Sequence, residues 1–412
     1  MNSRDNPPEH HERHDPREPH ERHKQHKQHE LRERHVRRGR WHETRLYLAA
    51  HPFAYPLMRL LARLGPVVRV PGLGVVVNDA ALARRVLMDG RFRKDGPGSP
   101  GDLWTPVLGP SVLLNMEGAP HAALRAKLAP LFTPSSVATL VADVLAGPLD
   151  DLRVRLAKGD TVDLVDEMRL LAGAVICRVI GLGEVPAARA RRLFADGERV
   201  VSMVSLRTRG LNARQLTVAR EVLDGIGDIA QAAYNAGDPA TVMGRMRELG
   251  LSAAEARGAA GAFFLTGTET VATFVPRLVA LLHDHDAFGA DLDLAIEEAM
   301  RVTTPTPVML RSVAEPVRLG KVLARPGDRV VIVTHNCARA YGPFDPSRPH
   351  PPELRRLWFG AGPHFCIGYP LALAEIRAVA GVVLARPVKV VARRAARGVL
   401  LPTYRHLLIR AA

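Results

Sequence analysis

Residues 359–368, Phe359-Gly360-Ala361-Gly362-Pro363-His364-Phe365-Cys366-Ile367-Gly368, place a cysteine in a glycine-rich loop. Glycines on both sides let the backbone turn tightly and come close to a flat ligand. A helix beginning just after Cys366 aims its first N–H groups at the sulfur, and such groups stabilise a thiolate. A lone cysteine is ordinarily a small buried hydrophobe. Held in this way it suits a haem iron, where the thiolate pushes electron density towards O–O cleavage.

A second constellation lies upstream in Leu265-Thr266-Gly267-Thr268-Glu269-Thr270. Glycine and threonine are poor residues for mid-helix, and a carboxylate in so apolar a run needs a reason. The spacing predicts a local opening of a long helix over residues 252–282, where an acid and a hydroxyl relay protons. In Glu298-Ala299-Met300-Arg301 the carboxylate and guanidinium are three residues apart, so they share a helical face and can pair. His121 and Arg125 are four apart and share a face in the same way.

The cysteine loop matches F-x-x-G-x-H-x-C-x-G position for position, and from about residue 45 to the end the chain resembles the cytochrome P-450 family. The resemblance implies haem b with Cys366 as the iron ligand and Phe359 and Gly368 beside the cofactor. His121, Arg125, Arg311 and His364 would hold its propionates through charge-assisted hydrogen bonds. Glu298 and Arg301 would brace the proximal side, with no catalytic part. Glu269 and Thr270 correspond to the proton-delivery pair, and Gly267 to the residue that makes room for oxygen and substrate. The chain departs from the pattern at Thr266, where Ala or Gly is usual, at Pro276 within the same helix, and at Pro370 just after the loop. Residues 283–296 are short for the family, and the Asn-Arg-Asp-Pro stretch survives only loosely as Cys337-Ala338-Arg339-Ala340-Tyr341.

The implied activity is that of a monooxygenase that activates O2 to hydroxylate or oxidatively couple a small to medium-sized organic substrate in specialised metabolism. A haem-binding or sensing protein of the same fold is the alternative, and Glu269 with Thr270 argues against it, because a sensor needs no proton delivery. With no flavin or iron–sulfur motif in the chain, electrons are expected from an acidic ferredoxin and its reductase. Lys127, Arg355 and Arg356 would steer that carrier to the proximal face. Pocket walls are expected at residues 102–114, 200–211, 262–270 and 306–309, with 401–404 closing the mouth.

The elements that must position these groups are mostly helical. Val67-Val68-Arg69-Val70 and Gly74-Val75-Val76-Val77-Asn78 flank Pro71-Gly72 and predict a hairpin. Apolar residues at three-to-four spacing predict helices over 140–156 and 168–182. Strands follow at 317–319 and 329–334, and a last helix at about 369–385. The expected architecture is the cytochrome P-450 fold, mainly α with small β-sheets, as one large domain over residues 41–412. Residues 1–40 form a His-, Arg- and Glu-rich tract read as a disordered tail.

The 412-residue chain carries a formal net charge of +15. It shows no zinc, helix-turn-helix or aromatic RNA-binding signature, so nucleic acid is not an expected partner. No stretch of about 20 nearly uncharged apolar residues predicts membrane insertion. Cys177, Cys337 and Cys366 are an odd, scattered set, which points to a reducing cytoplasm rather than a disulfide framework.

Overall fold

The computed structural model describes residues 41–205 and 208–412. The proposed tail over residues 1–40 lies outside them. Helix α1 (41–50) leads into α2 (Ala54–Leu64), and strands β1 (Val67–Val70) and β2 (Gly74–Val77) then pair antiparallel as the expected hairpin. Gly74 is required there. Its φ is +114°, and a Cβ would lie 2.1 Å from the Arg329 carbonyl oxygen.

Helices α3 (Ala80–Met88), α4 (Pro100–Leu108), α5 (Gly118–Leu128), α6 (Pro134–Ala157), α7 (Leu164–Val179), α8 (Ala187–Val201), α9 (Ala213–Ala236) and α10 (Val242–Glu248) follow, with β3 (Phe92–Arg93) and β4 (Val162–Asp163) between them. The central helix α11 (Ala253–Asp284) packs against α7, α8 and α9 and supplies much of the core through Phe264, Phe274, Val275 and Leu278. At 32 residues it is about 48 Å long. A capping box fixes its start: Ser252 Oγ accepts the Glu255 N–H, while the Glu255 carboxylate accepts the Ser252 N–H at 2.7 Å.

Only turns connect α11 to α12 (Leu292–Thr303), which agrees with the short segment noted in the sequence. Strands β5 (Met309–Val313), β6 (Val317–Leu319), β7 (Val322–Ala324) and β8 (Arg329–Ile332) come next, then α13 (Thr334–Arg339), α14 (Tyr369–Val383), β9 (Val388–Ala395) and β10 (Tyr404–Ala411). A five-stranded sheet runs β1-β2-β8-β5-β3, a three-stranded sheet runs β4-β10-β9, and β6 and β7 form a separate pair. Mainly α architecture with small sheets is what the sequence pattern implied.

Two local expectations need correction. The central helix does not open at 266–270; it is continuous through the motif and through Pro276. The hydroxyls of Thr266, Thr268, Thr270 and Thr273 donate to the carbonyls four residues back at 2.7, 3.0, 3.1 and 2.7 Å, so the threonines are satisfied inside the helix. Strand β8 ends at Ile332, and Thr334 already begins α13. Pro370 causes no break, because it sits in the first turn of α14, where its missing N–H has no intrahelical partner to lose.

Candidate active site

The cysteine loop is built by its own backbone. Cys366 N–H donates to the Phe359 carbonyl at 2.9 Å, and Phe365 N–H donates to that of Gly362 at 3.0 Å. Gly362, at φ +66°, lies against α3: a Cβ there would meet the Leu87 carbonyl oxygen at 2.9 Å. Phe359 packs edge-on against Tyr369, with centroids 4.9 Å apart, and Phe365 lies against the same ring.

The backbone N–H groups of Gly368 and Tyr369, at the start of α14, donate to the Cys366 sulfur. Burial is the stronger influence and raises the thiol above its ordinary range, with those N–H groups, Lys94 and Arg125 opposing it. The thiol is therefore not a free thiolate, and a bound metal is what would deprotonate it. Cys366 is nevertheless exposed to solvent, so a sulfur held deep in the protein faces open space. Among the described residues no group of three His, Cys, Asp or Glu side chains could hold a bare ion. A single thiolate fits a metal that arrives with its other ligands already in place, as haem iron does.

A cluster of basic groups sits beside this sulfur. His121 and His364 have ring centroids 4.1 Å apart, and His364 Nε2 lies 2.8 Å from a Glu117 carboxylate oxygen. Arg311 and Arg125 both act electrostatically on Lys94, and Lys94 and Arg125 act on Cys366. Burial, then Arg311, lowers the Lys94 ammonium to about 7, despite the opposing charges of Glu117 and Cys366. Burial, then His364, Lys94 and Arg125, lowers His121 to about 4. Burial lowers Arg311 to about 10, with Glu117 opposing. Burial also works against ionisation of Glu117, but its hydrogen bond to His364 and the surrounding cations hold it below its usual value.

Four of these basic groups, Lys94, His121, Arg311 and His364, lie in the field of the Glu117 carboxylate, and Asp95, which pairs with Arg93, reaches only His364. Arg311, buried, donates only to the adjacent Leu310 carbonyl among the described residues, and His364 Nδ1 is buried without a partner. Such a donor set lacks an anion. The two carboxylates of haem supply the missing charge and acceptors, so the residues present fit the group.

On α11 the face carrying Ala262, Phe263, Thr266, Gly267 and Thr270 stays accessible, while Phe264, Leu265, Thr268 and Glu269 are buried. Thr270 and Thr266 share that face, and Glu269 does not. Its carboxyl lies towards the Arg169–Glu198 ion pair of α7 and α8, which closes at 2.9 Å. Burial, then the charge of Glu198, pushes Glu269 up to about 8, with Arg169 opposing. The acid is therefore protonated at neutral pH. Gly267 has a different neighbour from the one expected: a Cβ there would lie 3.1 Å from Ile176 Cδ1. Its missing side chain lets α7 approach α11 at the edge of the accessible face.

Glu298 and Arg301 form a bidentate pair, both contacts 2.7 Å, and both side chains are almost wholly buried. Arg301 also donates to the carbonyls of Ala338, Gly342 and Pro343, while Glu298 accepts from Asp345 N–H and His350. The pair thus pins the segment that leads into the cysteine loop. Two of the three cations expected to face a partner are already engaged. Lys127 donates to the Gly250 carbonyl at 3.0 Å and pairs with Glu255, while Arg356 stacks over Tyr369 and approaches Glu297. Arg355 is exposed. The expected mouth at 401–404 is also misplaced, since all four residues are buried and Pro402 accepts from Arg277.

Sequence reasoning missed Lys94, Glu117, Ile176 and His350. Glu117, four residues before His121, carried a helical-spacing signal. Lys94 carried none.

Residues 292–386, which span Glu298 through Cys366 and α14, match the family model described as Cytochrome P450. The cytochrome P450 monooxygenase PikC of Streptomyces venezuelae is 30% identical over 331 residues, covering 74% of this chain and 76% of PikC. The chain belongs to the cytochrome P450 family. The cytochrome P-450 monooxygenase DoxA of Streptomyces sp. (strain C5) is 29% identical over 401 residues, 82% of this P450 and 90% of that protein. The crystal structure of CalO2 superposes with a TM-score of 0.72 at 25% identity, covering 89% of this chain and 97% of CalO2. This P450 is accordingly a haem-dependent monooxygenase, an oxidoreductase that draws its electrons from a redox partner. Among the described residues, no single helix is long and apolar enough to cross a membrane.

Proposed function

We propose that this P450 binds haem b through Cys366 and oxidises a small to medium-sized, largely apolar organic substrate in specialised metabolism, by hydroxylation or oxidative coupling. One observation carries the reading: an accessible cysteine sulfur, held by two backbone N–H groups, lies within the field of Lys94 and Arg125, beside a buried cluster in which Arg311, His121 and His364 outnumber the carboxylate of Glu117. Haem, when bound, supplies the oxygen activation. The chain supplies everything else.

Cys366 donates the thiolate, with Gly368 and Tyr369 orienting the sulfur and Phe359 packing the loop. His121, Arg125, Arg311 and His364, joined by Lys94, would hold the propionates when haem is bound, the guanidinium groups supplying charge and the imidazoles hydrogen bonds. The accessible face of α11 meets oxygen and substrate. Ala262 and Phe263 offer apolar contact there, and Thr266 adds a hydroxyl. Thr270 holds a proton at Oγ1 on the same face, and Glu269, protonated at neutral pH, stands one residue away as the acid that replenishes it. The Streptomyces relatives support the place in specialised metabolism. The electron donor is an acidic ferredoxin served by its own reductase, with the exposed Arg355 among the cations that would meet it.

The absorption spectrum of the dithionite-reduced protein with and without carbon monoxide tests the reading, repeated on Cys366→Ser. A strongly red-shifted Soret band that the variant loses is the expected result. Haem-free protein after haem-supplemented expression, or a band unchanged by the substitution, would refute it.

A further inference from the structure

Of the twelve large apolar side chains that the described residues leave exposed, six lie within residues 41–64: Trp41, Leu48, Phe53, Leu57, Leu60 and Leu64. Chance scatter of exposed apolar residues is ordinary, but a concentration of this kind marks an interaction surface. Four of them form one stripe. Phe53, Leu57, Leu60 and Leu64 are spaced by four, three and four residues, which aligns them along α2 and its N-cap, and they are 84%, 45%, 52% and 64% exposed. The core is served by another face of the same helix, through Tyr55, Met58 and Leu61. At about 100° per residue, Arg59 and Arg63, both exposed, fall on the flank of the stripe. The preceding helix repeats the pattern on a smaller scale, with Arg45 between Trp41 and Leu48 and its guanidinium 4.7 Å above the Trp41 ring.

The charge around the stripe is one-sided. From Thr44 to Asn78 the sequence contains no Asp or Glu, in a chain of net charge +15; of its four arginines Arg69 is paired with Asp328, which leaves Arg45, Arg59 and Arg63. This decides between occupants. A second copy of the chain, seated stripe to stripe, would bring arginines against arginines with no acid to separate them. The segment before Trp41 offers only Met1, Leu31 and Val36 as aliphatic side chains, too few to cover four large residues. A bilayer surface with anionic headgroups satisfies both halves of the pattern. Its acyl boundary takes the leucines and phenylalanine, and its phosphates take the flanking arginines.

We infer that α2 docks this P450 peripherally on anionic lipid, lying in the interface with Phe53, Leu57, Leu60 and Leu64 inward and Arg59 and Arg63 at headgroup level. Eleven residues are far too short to span a bilayer, so the helix lies on the surface.

Sedimentation of the full-length, haem-loaded protein with extruded vesicles tests this, using phosphatidylcholine alone and phosphatidylcholine mixed with phosphatidylglycerol. Binding to the anionic vesicles is expected, and it should fall about 25-fold in Arg59→Gln/Arg63→Gln, at about fivefold per arginine. The variant carrying Phe53→Ser, Leu57→Ser, Leu60→Ser and Leu64→Ser should lose binding to both vesicle types while keeping its Soret spectrum and helical circular dichroism. Because all four side chains are exposed, a folded variant is expected; should it fail to fold, Leu60→Ser alone must weaken binding measurably. Absence of sedimentation with either vesicle overturns the inference, as does binding that both variants retain. A wild-type dimer in size-exclusion chromatography that the serine variant converts to monomer would show that a second copy covers the stripe, and would overturn it as well.

Discussion

Replacing Lys94 by methionine should move the haem-free and haem-loaded forms of this P450 in opposite directions. In the site as described, Lys94 is enclosed with Arg311 and Arg125 and lowered from 10.5 to about 7, burial being the largest cause and Arg311 the next. The unfolded chain keeps the ordinary value. Below pH 7 both states are protonated, and the folded state bears the full penalty of the buried charge. Holding the charged form there costs roughly 5 kcal/mol, at about 1.4 kcal/mol for each tenfold loss of proton affinity. Between pH 7 and 10.5 the unfolded state binds the extra proton, so stability rises with pH by about 1.4 kcal/mol per unit, and the penalty is gone above that range. Methionine has similar length and no charge. The variant should therefore be more stable than wild type when haem-free at pH 7, and the difference should shrink steadily towards pH 10. With haem bound, the propionates satisfy the ammonium, and its loss removes a charge-assisted hydrogen bond worth about 1.5–3 kcal/mol. Haem release should then accelerate roughly 10- to 150-fold. Guanidinium denaturation of the haem-free protein across pH 6–10 reads the first effect, and haem transfer to excess apomyoglobin reads the second. A variant less stable at every pH, with haem release unchanged, would refute the reasoning and leave Lys94 an ordinary structural lysine.

Two further outcomes follow from the same electrostatics. Glu298→Ala leaves the fully buried Arg301 guanidinium without its carboxylate and should cost about 3–5 kcal/mol in guanidinium denaturation; a loss below about 1 kcal/mol would show that the segment from Ala338 to His350 is held by other contacts. Glu269, raised to about 8 by burial, binds its proton more tightly folded than unfolded, so wild-type stability should decline between pH 4.5 and 8 by up to about 1.4 kcal/mol per unit. Glu375, also buried and raised to about 8, adds a decline of the same sign, so Glu269→Gln, which mimics the protonated acid, should remove only the share of Glu269 while lowering product formation about 10²- to 10⁴-fold. Unaltered turnover would remove Glu269 from the proton path.

The parts of the site that could be read from the sequence are those whose physics is local. The cysteine loop closes through bonds between residues 359 and 369, and Glu298 reaches Arg301 across one turn of α12. Thr266 and Thr270 share a face because four residues make about one turn. Readings that depended on what packs across a helix fared less well. Gly267 suggested only space for a ligand, and the contact with Ile176 of α7 on its other side was invisible in the sequence. The threonine-rich stretch suggested an opened helix, yet each hydroxyl finds a carbonyl within the same helix. Residues 401–404 suggested a pocket mouth, yet they are drawn into the interior by Arg277, a side chain that reaches Glu43, Tyr47, Thr303 and Pro402 together.

By itself the sequence marked Cys366 as a cysteine placed in a tight glycine-rich loop before a helix, located the central and last helices to within a few residues, and showed that the fold is mainly helical. These follow from spacing, capping and glycine placement, which act over a few residues. Only the tertiary structure decided that Lys94 and Glu117 join His121, Arg125, Arg311 and His364, that Glu269 faces the Arg169–Glu198 pair, and that Lys127 and Arg356 are occupied internally. Coulombic and desolvation energies depend on distance and burial in space. Residues far apart along the chain acquire them only when folding brings them together.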